Sequence, residues 1–414
     1  MIAEIITIGD ELLIGQVVDT NSAWMGEVLN QAGIKINRIT SVSDNHNEII
    51  STLKEASLRA NLVLITGGLG PTNDDITKKT LADYFNVKMR FDEKAFDDIV
   101  HLFSIRGREA TALNRLQAEI PSNCITLYNK VGTAPGMWFD VDDVVYVSMP
   151  GVPYEMKYLM EQEVLPRIKT RFKTPFIVHS TILTFGIGES FLSEKIAAFE
   201  NSLPSTIKLA YLPSAGSVRL RLSGSGDDEQ QLRLQLKRFT DDIKGLVGEY
   251  IYGFEKDEMP QVVGELLKSK KYTFATAESC SGGYMAHLIT SIPGSSAYYM
   301  GSSVTYSNES KTQLLNIPKS MIEKNGAVSE PVVLAMVESV KKLFNVDCAV
   351  ATTGIAGPGG GTADKPVGTV WVGVCTPKGT KTFLLKLGDN RLRTIEIAAL
   401  SGLNFLRKEL LNEE

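Results

Sequence analysis

The chain has 414 residues, a length that predicts about three domains at roughly 150 residues each. Hydrophobic residues make up 43% and charged residues 22%, proportions typical of a globular protein with real cores. The net charge of −5 argues against a general binder of nucleic acid or anionic membranes, and no apolar run approaches the roughly 20 residues that span a bilayer.

Residues 1 to about 170 alternate strand and helix patterns. Apolar strands are predicted in AEIITIG, KINRITSV, NLVLITGG and VVYVSMPG. Amphipathic helices are predicted in TNSAWMGEVLNQAG, HNEIISTLKEASLRA and PTNDDITKKTLADYF, the last with Pro71 near its start. This alternation predicts a mostly parallel sheet with helices on both faces, a three-layer α/β domain over 1–170.

Residues 171–252 have a different character. A strand in RFKTPFIVHSTILTFG, a short helix in GESFLSEKIAAF and a hairpin in KLAYLPSAGSVRLRLSG precede an amphipathic helix in DDEQQLRLQLKRFTDDIKGLVG. The pattern predicts a small α+β domain without a catalytic cluster, a spacer between two larger domains.

Residues 253–414 return to alternating strands and helices. Strands are predicted in YTFATAES, DCAVATTG, KPVGTVWVGVC and TKTFLLKLG, and helices in QVVGELLKSKK and SGGYMAHLITSI, with a last helix from about Leu392 to Glu409. We therefore expect a second α/β domain, so that the whole chain is of α/β class with three domains.

The thiols and imidazoles do not form a metal-binding pattern. None of the four cysteines is in a CxxC pair, so we expect free thiols in a reducing compartment. The four histidines are scattered, which makes a histidine metal centre improbable. The amino terminus has no basic segment ahead of its first apolar strand, so we expect no signal peptide and a cytoplasmic protein.

The segment TGGLGPTNDDIT, residues 66–77, follows a buried strand and opens a helix, where α/β sheets bind phosphate. It lacks the GK[ST] ending of a P-loop, which excludes that kind of ATPase. Acidic residues beside a phosphate imply a divalent cation, for which we expect Asp74 and Asp75. We expect the same site to include Asp10, Glu11, Asp19, Asn21, Gly67, Gly68, Gly70 and Thr72. The helix dipole alone also favours acidic residues there, so both interpretations stay open.

The segment VTYSNESK places Lys311 in the first turn of a predicted helix that Ser307 or Asn308 caps. A cation there faces the positive end of the helix dipole. A solvated lysine on an exposed face is one interpretation. The other is a lysine held close to neutrality so that it can accept a proton.

Polar segments of the carboxy-terminal domain contain no histidine, which excludes a Ser–His–Asp triad and leaves a Ser–Lys pair. We expect Ser296 as nucleophile, Lys311 as base and Tyr306 as the residue that orients the proton. Backbone N–H groups near Thr353 and Gly354 are expected to hold the oxyanion. The stretch 354–361 and Arg391 are expected to receive a phosphate. A plain turn at Ser296 and a mobile glycine loop are the alternatives.

Many ordered motifs resemble the CinA family of competence/damage-inducible proteins over essentially the full length. The motifs IGDELLIGQVVDTN, TGGLGPTNDD, VGTAPG and MPGVP look like its molybdopterin-binding-type domain, similar to MoaB and MogA. The motifs AESCSGG, VTYSNESK, NGAVSEPV, TTGIAGPGGG and KPVGTVW look like its nicotinamide-nucleotide amidohydrolase domain. The segment 171–252 resembles the family's KH-like spacer.

The resemblance implies that the carboxy-terminal domain deamidates nicotinamide mononucleotide without a cofactor. The family's serine, tyrosine and lysine fall on Ser296, Tyr306 and Lys311, and its substrate-binding threonine falls on Thr353. The family's GDR is Gly-Asp-Asn-Arg here, so its arginine falls on Arg391 or on Arg393. The expected substrate-binding residues are Ser279, Ser281, Thr353, Gly354, Gly357 and Arg391.

The resemblance also implies that the amino-terminal domain hydrolyses ADP-ribose with a divalent ion such as Mg, Mn or Co. The alternative is a domain that only binds a pterin or a nucleotide, because fold is weak evidence of function. A homodimer is expected. Direct nucleic-acid binding is not, since the spacer lacks a GxxG clamp and the charge is acidic. An interaction protein in DNA uptake or repair is the competing class.

Overall fold

The structure, a computed structural model, describes residues 1–72, 74–105 and 107–412. The chain divides into two compact units, Met1–Val178 with Gly224–Arg233 and His179–Ser223 with Leu234–Glu414. None of the helices in the described ranges combines the length and apolarity needed to cross a membrane.

A six-stranded sheet is the centre of the first unit. Its spatial order is β2-β1-β3-β8-β7-β6, and β1, β2, β3 and β8 run parallel while β7 and β6 are antiparallel additions. The strands are β1 Ile2–Ile8, β2 Lys35–Val42, β3 Leu62–Thr66, β6 Ile125–Leu127, β7 Gly136–Val141 and β8 Val144–Met149. The mostly parallel sheet expected from the sequence is confirmed.

Helices cover both faces of this sheet, because each central strand is apolar on both sides. One core joins the sheet to α2 Thr20–Gln31, α7 Pro153–Leu159 and α8 Leu165–Arg171, with a π-helical turn at Met160–Val164 between the last two. The other core joins it to α3 His46–Ser57 and α4 Thr77–Tyr84. A short helix, α1 Asp10–Leu13, follows the first strand.

A small subdomain that we did not predict from the sequence lies between α4 and β6. It consists of the antiparallel pair β4 Met89–Phe91 and β5 Glu119–Pro121 with α5 Glu93–Ile105 and α6 Ala112–Gln117. Ala95, Ile99 and Ala118 form its own core. Three-residue strands contain too few positions to show a period, which explains why the pattern was missed.

Helix α4 begins six residues later than the proline suggested. The Asp75 carboxylate accepts hydrogen bonds from the backbone N–H groups of Gly70, at 2.8 Å, and Thr72, at 2.9 Å. These bonds close the segment into a loop, so that the helix begins only at Thr77. Asp74 and Asp75 are therefore loop residues rather than first-turn helical residues.

The middle segment forms a four-stranded sheet in the order β10-β11-β9-β12. The strands are β9 Phe176–Phe185, β10 Ile207–Ser214, β11 Ser217–Gly226 and β12 Ile251–Phe254, with helices α9 Glu189–Ser202 and α10 Glu229–Val247. The predicted hairpin is confirmed, and Gly216 at its turn has φ +70°, a conformation that glycine adopts without strain.

The carboxy-terminal domain is built on a five-stranded sheet in the order β14-β13-β15-β16-β17. The first three strands are parallel and the last two antiparallel. The strands are β13 Phe274–Glu278, β14 Tyr299–Val304, β15 Cys348–Gly354, β16 Thr369–Thr376 and β17 Gly379–Lys386. The second α/β domain is thus confirmed.

Helices again cover both faces. One face packs against α11 Met259–Lys270, α12 Tyr284–Thr290 and α16 Arg391–Leu411, and the other against α13 Asn308–Leu315, α14 Lys319–Asn325 and α15 Glu330–Phe344. Ser307 caps α13 through a capping box with Ser310, one of the two caps that the sequence allowed.

The buried hydroxyl of Tyr298 generates a stability prediction, because it has no hydrogen-bond partner among the residues that the structure describes. A Cβ atom on Gly264 would lie 2.4 Å from this oxygen. We expect Tyr298→Phe to keep or raise the free energy of unfolding, by up to about 1 kcal/mol, since it removes an unsatisfied polar group. Gly264→Ala should lower it by about 1–3 kcal/mol through overpacking. Chemical denaturation of both variants tests this, and a large loss in Tyr298→Phe would contradict it.

Candidate functional site

The order of the strands places one crevice in the carboxy-terminal sheet. Strand β13 lies between β14 and β15. The connection from β13 to β14 runs to one side and the next, from β14 to β15, runs back past β13 to the other, and ligands bind at the carboxyl ends of strands where the direction of the connections reverses in this way. Ser279 is the first residue beyond that end of β13, and Thr305 and Tyr306 follow the same end of β14.

Lys311 lies fully inside this crevice, with 1% of its surface exposed. Its Nζ is 2.9 Å from the Oγ of Ser279 and donates to the carbonyl oxygen of Thr305 at 2.8 Å. Among the described residues no carboxylate lies within ion-pair distance of this amine. The structure thus places the lysine in the interior rather than on a solvated face.

Burial lowers the pKa of the Lys311 amine from its ordinary value, because the charged form loses its hydration and gains no counter-ion. Burial also raises the pKa of the neighbouring Cys280 thiol to about 12, so this thiol stays protonated and supplies no negative charge. A neutral amine here donates one hydrogen to the Thr305 carbonyl, and its lone pair can accept the hydroxyl hydrogen of Ser279.

Ser296 is placed elsewhere. It is exposed in a one-turn 3-10 helix, Ser295–Ala297, that precedes β14. Ser296 lies before the first residue of this six-residue strand, whereas Lys311 lies after its last residue. Roughly 20 Å of extended chain therefore separates the two ends of the strand near which these residues lie. The hydroxyl that the structure brings to the lysine is that of Ser279, which we expected only as a substrate-binding residue.

Tyr306 and Arg391 form the outer part of the crevice. The Tyr306 side chain is 61% exposed. Arg391 donates from Nη2 to the Tyr306 hydroxyl at 2.8 Å and from Nη1 to the carbonyl of Gly357 at 2.7 Å. Arg393, the alternative phosphate ligand, lines a separate groove with Lys386 and Asp389. The structure therefore joins Arg391, and not Arg393, to Tyr306 and the glycine-rich loop.

Three expected substrate-binding residues have structural partners. The Thr353 hydroxyl donates to the carbonyl of Ala327 at 2.9 Å, which fixes the loop after α14. Gly354 ends β15 and pairs with Val370 of β16. The hydroxyl of Ser281 lies 2.7 Å from that of Thr352. These contacts hold the walls of the crevice around Ser279.

Sequence reasoning missed the role of Glu278, a fully buried carboxylate at the end of β13. It accepts backbone hydrogen bonds from Gly283 at 3.1 Å, Met285 at 3.0 Å and Ala286 at 2.8 Å, at the start of α12. An acidic residue six positions before the first residue of a helix is not a standard cap, so spacing gave no signal. The bonds turn the intervening loop back over β13 and fix Ser279.

A second crevice of about 400 Å³ lies in the amino-terminal unit, again beside a strand at which the direction of successive connections reverses, here β1, which lies between β2 and β3. Its walls include the glycine turn after β3 and the turn after β8. Of the expected residues it is lined by Glu11, Gly67, Gly68, Gly70, Asp74 and Asp75. Gly67 has φ +115°, and a Cβ atom there would lie 2.1 Å from the Ile8 carbonyl.

Several of the expected residues in this unit stabilise turns. The Asp19 carboxylate accepts from the N–H of Ser22, at 2.9 Å, and so caps α2. Asn21 donates to the Gly151 carbonyl at 2.7 Å, which holds the turn after β8. The hydroxyl and the N–H of Thr72 both donate to Asp75. Asp10 is exposed at the start of α1.

Asp44, which we did not predict, also lines the crevice. It accepts a hydrogen bond from the N–H of Asp10 at 3.2 Å. Burial raises the pKa of its carboxyl, and the nearby Asp10, Glu11 and Asp74 carboxylates raise it further. Over residues 1–72, 74–105 and 107–412, no three His, Cys, Asp or Glu side chains converge into a ready-made metal site.

Comparisons with known proteins identify the family to which the chain belongs. Residues 4–170 match the probable molybdopterin binding domain, 179–253 the KH domain of damage-inducible protein CinA, and 256–410 the CinA C-terminal domain. A CinA-like protein of Cytophaga hutchinsonii is 50% identical over 408 residues, covering 99% of this chain and 98% of its own. The chain belongs to the CinA family.

Other CinA proteins are similar as well. A CinA-like protein of Flavobacterium psychrophilum is 46% identical over 99% of both chains. The crystal structure of CinA from Thermoplasma acidophilum, described as having unknown function, is 33% identical and covers 41% of this chain and 98% of its own, with a TM-score of 0.37. The three matched domains agree with the MoaB-like, KH-like and carboxy-terminal α/β regions of this CinA chain.

The buried amine makes the stability of the protein depend on pH. Because burial lowers the pKa of Lys311 in the folded chain, the unfolded chain binds a proton that the folded chain releases. Between the lowered pKa and the ordinary lysine value, stability therefore rises with pH. Relative to Lys311→Met, the parent chain should gain free energy of unfolding as pH increases through this window.

Urea unfolding of both chains at several alkaline pH values measures this difference. Lys324→Met, which replaces an exposed lysine of the same domain, is the matched control. A difference between parent and Lys311→Met that stays constant with pH would show that Lys311 is not buried as described.

Proposed function

We propose that the carboxy-terminal domain hydrolyses the carboxamide of nicotinamide mononucleotide, giving nicotinate mononucleotide and ammonia. The observation that carries the proposal is the buried Lys311 amine, 2.9 Å from the Ser279 hydroxyl and without a carboxylate partner among the described residues. A neutral amine beside a hydroxyl is the arrangement that activates a serine nucleophile where no histidine is available.

The reaction uses Ser279 in place of the serine expected from the sequence. Lys311 accepts the hydroxyl proton while Ser279 Oγ attacks the carboxamide carbon. The resulting ammonium returns a proton to the amide nitrogen, and ammonia leaves as the acyl-serine ester forms. Water then attacks the ester with Lys311 again as base, which releases nicotinate mononucleotide and restores the serine. One water is consumed and one ammonia released in each cycle.

The nucleotide phosphate is proposed to bind Arg391. The guanidinium of Arg391 donates to a phenol and a carbonyl, both neutral, and forms no ion pair within the described ranges. An arginine without a carboxylate partner beside a glycine-rich loop is suited to a bidentate phosphate. The Gly357 carbonyl and the Tyr306 hydroxyl hold the guanidinium in place.

The assignment of the nucleophile is tested by two alanine variants. Ser279→Ala should reduce ammonia release from nicotinamide mononucleotide by at least about 10³-fold, because nothing else replaces the attacking oxygen. Ser296→Ala, the matched control, should retain activity near that of the parent. Folding of both is checked by circular dichroism. The opposite result, with an inactive Ser296→Ala and an active Ser279→Ala, would restore Ser296 as the nucleophile.

For the amino-terminal domain we propose metal-dependent hydrolysis of ADP-ribose, supported by the crevice that combines a glycine turn with acidic residues. The hard oxygen donors fit Mg, Mn or Co, and mutual repulsion among the carboxylates around Asp44 is relieved by a cation. Asp44, Glu11 and Asp74 line this crevice without converging on one point, so they would hold the ion only after moving toward it, and Asp75 would hold the loop. A bound divalent ion would supply charge neutralisation for the diphosphate.

The role of Asp44 is tested by Asp44→Asn. We expect the divalent-metal concentration needed for half-maximal ADP-ribose cleavage to rise by at least about tenfold, because one anionic oxygen donor is lost. Asp97→Asn, an exposed position on α5, is the control. The rate of cleavage is measured from the release of AMP. Undiminished activity in chelator, or an unchanged metal requirement in Asp44→Asn, would remove the metal assignment.

Two further proposals come from family membership. A homodimer in the cytoplasm would suit an enzyme of pyridine-nucleotide salvage. The competing proposals are an amino-terminal domain that only binds a pterin or nucleotide, and an interaction protein of DNA uptake or repair. Assaying the purified chain with both nucleotides, with and without metal, discriminates them: a chain whose amino-terminal domain only binds would release ammonia but cleave no ADP-ribose, and an interaction protein would do neither.

A further inference from the structure

Hydrolysis through an acyl-serine requires donors for the oxygen that becomes negative when the carboxamide is attacked. We expected these donors near Thr353 and Gly354, yet both residues lie within strand β15, in its pairing with β16. The backbone next to Ser279 is therefore the place to look, because an N–H group one or two residues after a nucleophile is covalently held close to its oxygen.

The loop between β13 and α12 has most of its N–H groups in use. Ser279 donates to the Thr352 carbonyl at 3.0 Å, and Gly282 donates to the Ser279 carbonyl at 3.2 Å. Gly283 donates to the Glu278 carboxylate at 3.1 Å. Over the described part of the chain, the N–H groups of Cys280 and Ser281 donate to no oxygen acceptor.

A missing partner at Ser281 matters because this residue is only 2% exposed. Nearly all buried backbone N–H groups are hydrogen-bonded, and an unpaired one costs about 1–3 kcal/mol. The other polar groups of Ser281 are satisfied. Its hydroxyl pairs with that of Thr352 at 2.7 Å, and its carbonyl accepts from the N–H of Tyr284 at 3.0 Å. Only its N–H is left for a ligand.

The surroundings leave both N–H groups without an oxygen acceptor in the described part of the chain, and the Cys280 N–H contacts only the sulfur of its own side chain. Glu278, the nearest carboxylate, uses its oxygens on the N–H groups of Gly283, Met285 and Ala286. The loop is fixed at both ends by these bonds and by the bond from Ser279 to Thr352. The donors are thus held in position before substrate binds, as electrostatic stabilisation of a transition state requires.

We propose that the backbone N–H of Ser281, assisted by that of Cys280, forms the oxyanion hole for attack by Ser279 on a carboxamide. This inference rests on the proposed deamidation. The C–O bond forms from Ser279 Oγ, its proton passes to Lys311, and the carbonyl π electrons move onto the oxygen that these N–H groups receive. When the C–N bond breaks, the electrons return, ammonia leaves and the oxygen is a carbonyl again.

Replacing the Ser281 residue by its α-hydroxy analogue deletes the N–H and leaves the side chain. In the full-length chain with this backbone ester, kcat for nicotinamide mononucleotide should fall about 10²–10³-fold with KM nearly unchanged. The matched control is an ester at Ile292, just after the end of α12, whose N–H donates to the Ile289 carbonyl at 3.2 Å. It loses one structural hydrogen bond and should retain activity.

Labelling of Ser279 by a fluorophosphonate, followed by mass spectrometry, gives a second measurement that needs no particular substrate. The phosphoryl oxygen of the fluorophosphonate becomes negative during labelling and requires the same N–H donors as the carboxamide oxygen. The labelling rate should therefore also fall at least tenfold in the Ser281 ester. Equal rates of turnover and labelling in ester and parent would overturn the oxyanion hole. Labelling of the parent on Ser279 without ammonia release would overturn only the deamidation, and the labelling rates would still test the hole. If the parent chain showed neither labelling of Ser279 nor ammonia release, both the oxyanion hole and the deamidation would be overturned.

Discussion

The reversal in direction of two successive strand connections is the constraint on which both crevices depend. In the amino-terminal sheet the two connections run to opposite sides of β1, and in the carboxy-terminal sheet to opposite sides of β13. The loops that follow the carboxyl end of this strand and those of its neighbours cannot cover one another, so a gap opens between them. Gly67 and Ser279 lie at these two gaps. The same rule of topology thus supplies two sites with unrelated side chains.

The interior of the carboxy-terminal crevice is unusual because, among the described residues, its buried lysine has no carboxylate partner. A buried lysine is ordinarily paired with a carboxylate, since an isolated charge in a protein interior is expensive. Lys311 instead has a hydroxyl and a carbonyl as partners, and the one fully buried acid close by, Glu278, is occupied by backbone N–H groups. The protein stabilises the neutral amine by withholding a counter-ion.

The sequence was sufficient for the architecture and for part of the site. Alternating strands and helices predicted both α/β domains. The absence of histidine from the polar segments of the carboxy-terminal domain favoured Lys311 as the base. The partner of Lys311 could not be inferred, because Ser279 and Ser296 both lie in short polar loops and only the strand order shows which loop meets the lysine. Glu278 and Asp44 act through backbone contacts and burial, neither of which leaves a periodic signal. The late start of α4 was not predictable for the same reason, because it depends on backbone hydrogen bonds to the Asp75 carboxylate.

The closure of the α12 terminus by Glu278 has a consequence for ligand polarity. The beginning of a helix usually attracts phosphate, but here an internal anion already saturates that position and would repel a second one. For the nucleotide substrate that we propose, this favours one direction of entry, with the phosphate toward Arg391 and the aromatic amide toward the serine. The fold itself then disfavours the reversed orientation.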